Sequence, residues 1–261
     1  MWQYLFEGGS AKAVADALAH YQNEDGGFGW ALEPDNWNPE STPIATHHVL
    51  RIYKMLGITD YEHPIFHGIK RYLESNKDKL EYGWRFNVPG NDLHPHAPWW
   101  TYSEVENLKE FYGVTAGFCS FILLNYERQS LTYQNAISLT KQLLDAIDQD
   151  TKYGDMGLMV YLELIETVNQ LKEEGENEFV QYDTAALDQI LAKKVTESIE
   201  HDVDKWKFYG ARPSKYITAP NSSYYEDNKE IVDKEVQYLL DNKPKGKLLK
   251  KSLILQLAIK R

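Results

Sequence analysis

Apolar residues recur along this chain at helical spacing. Val14, Ala17, Leu18 and Tyr21 stand at i, i+3, i+4 and i+7, which makes one stripe on an amphipathic helix. Ser41-Thr42-Pro43 reads as the next start, because Ser41 can cap a first turn and proline is tolerated inside it. That helix is expected to run to Leu56 and stop at Gly57. Pro64 opens another, with Ile65, Phe66, Ile69, Tyr72 and Leu73 turned inward. Residues 114–126 are apolar nearly all round. Residues 131–149 return to one stripe through Tyr133, Ile137, Leu144 and Ile147. Residues 156–171 are again broadly apolar, from Met156, Met159 and Val160 to Val168 and Leu171. Stripes also run through Leu187, Leu191, Val195 and Ile199 in 184–200, and through Ile231, Val232, Val236 and Leu239 in 228–240. No convincing set of strands is legible.

The two kinds of helix have different meanings. A striped helix keeps one face in water, whereas a broadly apolar one is covered on most sides. Their alternation predicts an all-α protein in two layers. A chain of 261 residues can bury a sizeable core, and no Pro/Gly/Ser linker divides it, so residues 1–261 are expected to form a single domain.

One turn is more specific than the periodicity around it. Tyr21-Gln22-Asn23-Glu24-Asp25-Gly26-Gly27-Phe28-Gly29-Trp30 follows the first stripe. Gly26, Gly27 and Gly29 permit a sharp turn. Gln22 can bond helix-end groups, and Phe28 and Trp30 can bury large area against neighbouring helices. This arrangement resembles the Gln-Trp repeat of the terpenoid cyclase and protein prenyltransferase superfamily. The resemblance implies an α/α toroid of about four to five helical hairpins in two concentric layers. Weaker echoes stand at Tyr72–Asn76 with Tyr82-Gly83-Trp84, at Tyr153-Gly154-Asp155 and at Trp206–Gly210. A fifth run-up, Val236–Asn242, is followed by Lys243-Pro244-Lys245-Gly246-Lys247 in place of a glycine-aromatic turn. Whether the ring closes is therefore left open.

Charge narrows the partners. Seven of the 28 basic residues follow Asp241, where no acid stands, so residues 1–241 carry 21 basic against 39 acidic groups, a net of -18. An acidic body argues against nucleic acid, whose phosphates dominate such binding. Residues 242–261 form an atypical basic tail, and 243–261 could touch an anionic membrane surface. No apolar run is long enough to span a bilayer. A single cysteine, Cys119 in an apolar run, fits core packing and a reducing compartment. The first residues lack a basic, then apolar, leader pattern. A cytoplasmic location is the expectation.

Two loops carry the candidate chemistry. The first, Ala31–Pro39, brings Glu33 and Asp35 just ahead of a helix start. A carboxylic acid in an aromatic cavity can protonate an alkene if desolvation raises its pKa, and aromatic faces can hold the resulting cation. The acid-initiated cyclases use an Asp-x-Asp-Asp motif, which is absent here. Capping or anchoring of the loop is the plainer role for both acids. The second loop, Asn91–Tyr102, holds Asp92, His94, His96, Trp99, Trp100 and Tyr102. Long aromatic loops often form lids or pocket walls. His94 and His96 with Asp92 could hold a metal, but the zinc triad of the prenyltransferases is not recognisable. No metal and no cofactor are predicted. His47 and His48 are adjacent on a helix and cannot face one site equally, so at least one is expected to be structural.

The expected ligand-binding set is Trp30, His47, His48, His94, His96, Trp99, Trp100 and Tyr102. Glu33 and Asp35 are the candidate catalytic acids. Gln22, Gly26, Gly27 and Phe28 form the structural motif. The resemblance implies an aromatic-lined central cavity for an apolar, isoprenoid-like ligand, with catalysis left open. Two alternatives stand beside it. One is a carbohydrate-active α/α toroid enzyme using paired carboxylates on a glycan. The other is a non-catalytic protein-interaction module. The oligomeric state is not legible.

Overall fold

The computed structural model describes residues 1–147, 154–208, 211–217, 220, 222 and 224–242. Tyr153 of the Tyr153–Asp155 echo, Tyr209 and Gly210 of the Trp206–Gly210 echo, residues 218, 219, 221 and 223, and the tail from Lys243 lie outside the described residues.

The described chain is mostly helical, as the periodicity predicts. Its α-helices are α1 (Trp2–Phe6), α2 (Ala11–Ala19), α3 (Pro43–Leu56), α4 (Pro64–Glu74), α5 (Glu104–Asn125), α6 (Leu131–Asp145), α7 (Gly154–Glu173), α8 (Thr184–Ser198) and α9 (Tyr225–Asp241). Two short strands, β1 (Lys79–Leu80) and β2 (Gly83–Trp84), pair antiparallel, with Lys79 opposite Trp84. The contacts divide the chain into two compact units, Met1–Ala146 with Thr151–Val180, and Ile147–Asp150 with Gln181–Arg261. No described helix is long and apolar enough to cross a membrane.

In the first unit, α5 packs on α3, α6 and α7, and α2 packs on α4. The broadly apolar stretch of α5 is buried from Val114 through Leu123, except Ser120. The α5 helix also begins ten residues before the apolar run. Its first two turns, including Val105, Leu108 and Lys109, are largely exposed and therefore carry no stripe. Ser103 caps it by accepting from the Glu106 N–H at 3.2 Å. The Ser103-x-x-Glu106 spacing was the available start signal.

The start of α3 differs in detail from the expectation. Thr42, not Ser41, is the cap, and its Oγ1 accepts from the Ala45 N–H at 3.2 Å. Ser41 donates instead to Asp25 Oδ1 at 2.5 Å. The C-terminus is as expected, with Gly57 left-handed at φ 66°.

The second unit centres on α8 and α9. Leu191, Val195 and Ile199 of the α8 side and Ile231 and Val232 of α9 are buried. Trp206 lies edge-on to Tyr238, with centroids 5.4 Å apart, and donates to the Glu200 carbonyl at 2.6 Å. Glu235, 1 % exposed, accepts from the Ser214 N–H at 2.7 Å and from the Ser214 hydroxyl at 2.6 Å. Arg212 stands 3.7 Å from the same carboxylate. These bonds tie the turn at 213–215 to α9.

Candidate functional site at the loops above α3, α5 and α7

The Gln22 turn is a lock between helices. The Gln22 amide donates to the Gly26 carbonyl at 2.9 Å and to the Ile65 carbonyl, in the first turn of α4, at 2.8 Å. Gly26 has φ +91°, and a Cβ there would stand 2.1 Å from the Gly68 carbonyl oxygen. Glycine is required twice over at this position, by conformation and by contact. Phe28 is fully buried. Its N–H donates to Thr46 Oγ1 at 3.0 Å, and its carbonyl accepts from the Thr42 N–H at 3.0 Å. Trp30 departs from the expectation. It is 58 % exposed, and its indole N–H is held by Asn23 Oδ1 at 2.7 Å. A left-handed φ of 56° turns it away from the core that Phe28 enters.

The echo at Tyr82-Gly83-Trp84 has the same chemistry. Gly83 precedes the buried Trp84, whose N–H donates to Thr115 Oγ1 on α5 at 3.0 Å. In each turn a glycine-aromatic pair delivers a buried N–H to a buried threonine of the next helix.

The two candidate loops are zipped together. Asn36 bridges to His96, the Trp37 N–H donates to the Pro95 carbonyl at 3.0 Å, and the Ala97 N–H to the Asp35 carbonyl at 2.8 Å. Beneath them Asn91 Oδ1 accepts from Asn38 at 3.0 Å, and the Asn91 amide donates to the Trp100 carbonyl at 3.0 Å. Asp35 is the anchor. Its two oxygens accept from the Trp99 indole at 3.0 Å and the Trp100 indole at 2.7 Å. Trp100 is buried and stacks on Phe86, while Trp99 is 64 % exposed. Of the indole pair assigned to the ligand wall, only Trp99 presents its ring to solvent.

Glu33 has a different partner. Its Oε1 lies 2.6 Å from His48 Nδ1, outside hydrogen-bonding alignment, and both side chains are largely covered. The structure thus separates Glu33 and Asp35 into two jobs. In the second loop His96 Nδ1 lies 2.7 Å from the His94 carbonyl and Nε2 3.2 Å from Thr101 Oγ1, with Asp92 3.8 Å away. Tyr102 donates to Glu104 at 2.5 Å and accepts from Arg85 at 2.9 Å. Among the described residues no three His, Cys, Asp or Glu side chains gather in a metal-holding group.

His47 enters the core where His48 does not. It is 2 % exposed, meets Phe118 edge-on, and its Nε2 would stand 1.9 Å from a Cβ on Gly117. Burial, then Arg51 and His48, lowers its pKa to about 3, so the ring is neutral. Its Nδ1 has no hydrogen-bond partner among the described residues. The ring borders a small pocket with Ile44, Phe86, Glu110, Gly113, Val114, Gly157 and Val160. The cavity volume is about 10 Å³. That is room for roughly one water.

Sequence reasoning missed a residue in the run it read as broadly apolar. Glu163 of α7 faces α3, where Lys54 stands 4.0 Å from it and 2.8 Å from Glu166. Burial raises the Glu163 pKa, Lys54 and Arg51 oppose the shift, and Glu166 adds to it. Burial and Glu163 together raise the Tyr61 pKa. Tyr61 sits edge-on to Phe66 at 4.9 Å and to Phe121 at 5.6 Å, and stacks on Tyr53 at 6.0 Å. An acid inside a largely apolar helix was the signal. Cys119, by contrast, is core, and burial pushes its thiol up to about 12.

Searches against known protein families, curated proteins and solved structures returned no match for this chain.

Proposed function

We propose that this is a prenyltransferase- and terpenoid cyclase-like protein that binds an apolar, isoprenoid-like ligand against α3, α5 and α7 of its first unit, in a fold of the α/α toroid kind. The observation that carries this reading is Glu163. It is a carboxyl held toward its neutral form by burial, next to the aromatic group Tyr53, Tyr61, Phe66 and Phe121. A neutral carboxylic acid can donate a proton to an alkene. Aromatic faces stabilise the cation that results. Lys54, at 4.0 Å, is placed to compensate the carboxylate left behind. The repeated glycine-aromatic-threonine turn supports the toroid-like repeat. The His47 pocket, at about 10 Å³, is too small for a prenyl chain, so the ligand lies along the helix faces and not in it.

Native mass spectrometry with denaturing extraction tests the reading, followed by incubation with prenyl diphosphates and linear polyprenes. A co-purified or retained isoprenoid is expected. Conversion of it, lost in Glu163→Gln with binding retained, would establish the acid. Saturable binding of soluble oligosaccharides with no retention of any isoprenoid would overturn the proposal in favour of a glycan.

A further inference from the structure

Two exposed tryptophans, Trp37 and Trp99, stand on the two zipped loops, and a third, Trp30, ends the Gln22 turn just before them; none belongs to the Glu163 group. Trp30, Trp37 and Trp99 are 58 %, 61 % and 64 % exposed. Exposed indoles gathered on one surface mark interaction sites. Their polar atoms are already spent inside the protein. Trp30 donates to Asn23 Oδ1 at 2.7 Å, Trp37 to the Pro34 carbonyl at 3.0 Å, and Trp99 to Asp35 Oδ2 at 3.0 Å. The N–H edges of Trp37 and Trp99 therefore converge on the single dipeptide Pro34-Asp35. The Trp30 N–H bonds the Asn38 carbonyl at 3.1 Å, which sets the third ring's backbone beside Trp37. What remains for a ligand is ring faces, held in place before it arrives, so little order is lost on binding.

The chain segments that carry the rings hold formal charge of one sign. Residues 30–42 and 87–103 contain Glu33, Asp35, Glu40 and Asp92 and neither lysine nor arginine. Arg85, which stacks on Tyr102, is paired with Glu104 at 2.7 Å. Among the described residues no lysine or arginine stands over Trp30, Trp37 or Trp99. Negative ring faces in an acidic surround attract a cation, and attract it best when it is poorly hydrated. A neutral sugar is less well served, because the indole N–H groups that would address its hydroxyls are occupied.

We infer that the Trp37 and Trp99 faces form a binding site for a small organic cation of the quaternary ammonium class. Calorimetric titration of the full chain with choline, and with its neutral tert-butyl isostere, tests this. Saturable choline binding is expected, with the isostere at least tenfold weaker. Trp37→Leu and Trp99→Leu keep apolar area but lose the ring face, and each is expected to weaken choline at least tenfold while the circular dichroism spectrum stays native. Equal binding of the isostere, no heat with choline, or unchanged choline affinity in both folded variants would overturn the site. So would saturable binding of a neutral oligosaccharide by a protein inert to choline.

Discussion

The Gly27-Phe28 turn and the Gly83-Trp84 turn do one job with different parts. Each sends a buried aromatic N–H to a buried threonine, Thr46 in α3 and Thr115 in α5, at 3.0 Å. The first adds a glutamine that reaches the next helix of the pair, and a glycine pressed on backbone. The second replaces that lock with a two-residue hairpin, and its glycine is pressed on the Thr115 side chain. What the two share is the bond that seats the turn on the following helix. What differs is how the chain before it is held, and only the first way leaves a legible motif.

The largest test of this comparison is at the glycines. Gly26→Ala combines a positive φ with a backbone clash, and is expected to cost about 4 kcal/mol in denaturant unfolding. Gly83→Ala, at φ +146°, meets the Thr115 side chain and not backbone, but that side chain holds the Trp84 N–H and its Cβ would stand 2.9 Å from the added carbon, so the cost should be only somewhat less. An equal or reversed order would mean that the first turn is not the stiffer one.

The threonines come next. Thr46→Val and Thr115→Val each leave a buried N–H without its acceptor, which costs roughly 1–3 kcal/mol. Thr46 also donates to the Thr42 carbonyl at 2.8 Å, so its loss should be the greater. A neutral Thr115→Val would break the equivalence of the turns.

His47 follows Thr46 and sharpens the contrast, since Ala116 holds the matching place after Thr115. The folded pKa of His47 lies near 3, below its ordinary 6.5. The unfolded chain therefore takes up a proton that the folded one refuses. This contribution is full above pH 6.5 and is lost as pH falls toward 3. Between pH 6.5 and 5 the loss is about 2 kcal/mol. Unfolding curves of His47→Leu at the two pH values should lack that increment.

The smallest stability effect is expected outside both turns. Asp35→Ala removes the acceptor of two indoles, at a cost of about 1–2 kcal/mol. Tryptophan emission should shift as Trp99 loses its anchor. An unshifted spectrum would show that the zipped backbone alone holds the ring.

The helices, their stripes and the Gln22 turn could be read from the sequence, because periodicity and glycine spacing report local geometry. The exposed start of α5 was harder, since a polar first turn carries no stripe and only its cap marks it. The site was legible in its materials and not in its pairings. Asp35 and Glu33 stand two apart in sequence, yet one anchors indoles from residues 99 and 100 and the other meets a histidine on α3. Glu163 passed unread in a broadly apolar run, because its partners Lys54 and Tyr61 come from distant parts of the chain. Backbone preference is set within a few residues, so the sequence by itself determined where the chain coils and where it turns. Desolvation, ion pairing and the exposure of a ring depend on neighbours dozens of residues away, so only the tertiary structure decided which acid is pushed toward its neutral form, which histidine is buried and which tryptophans face water.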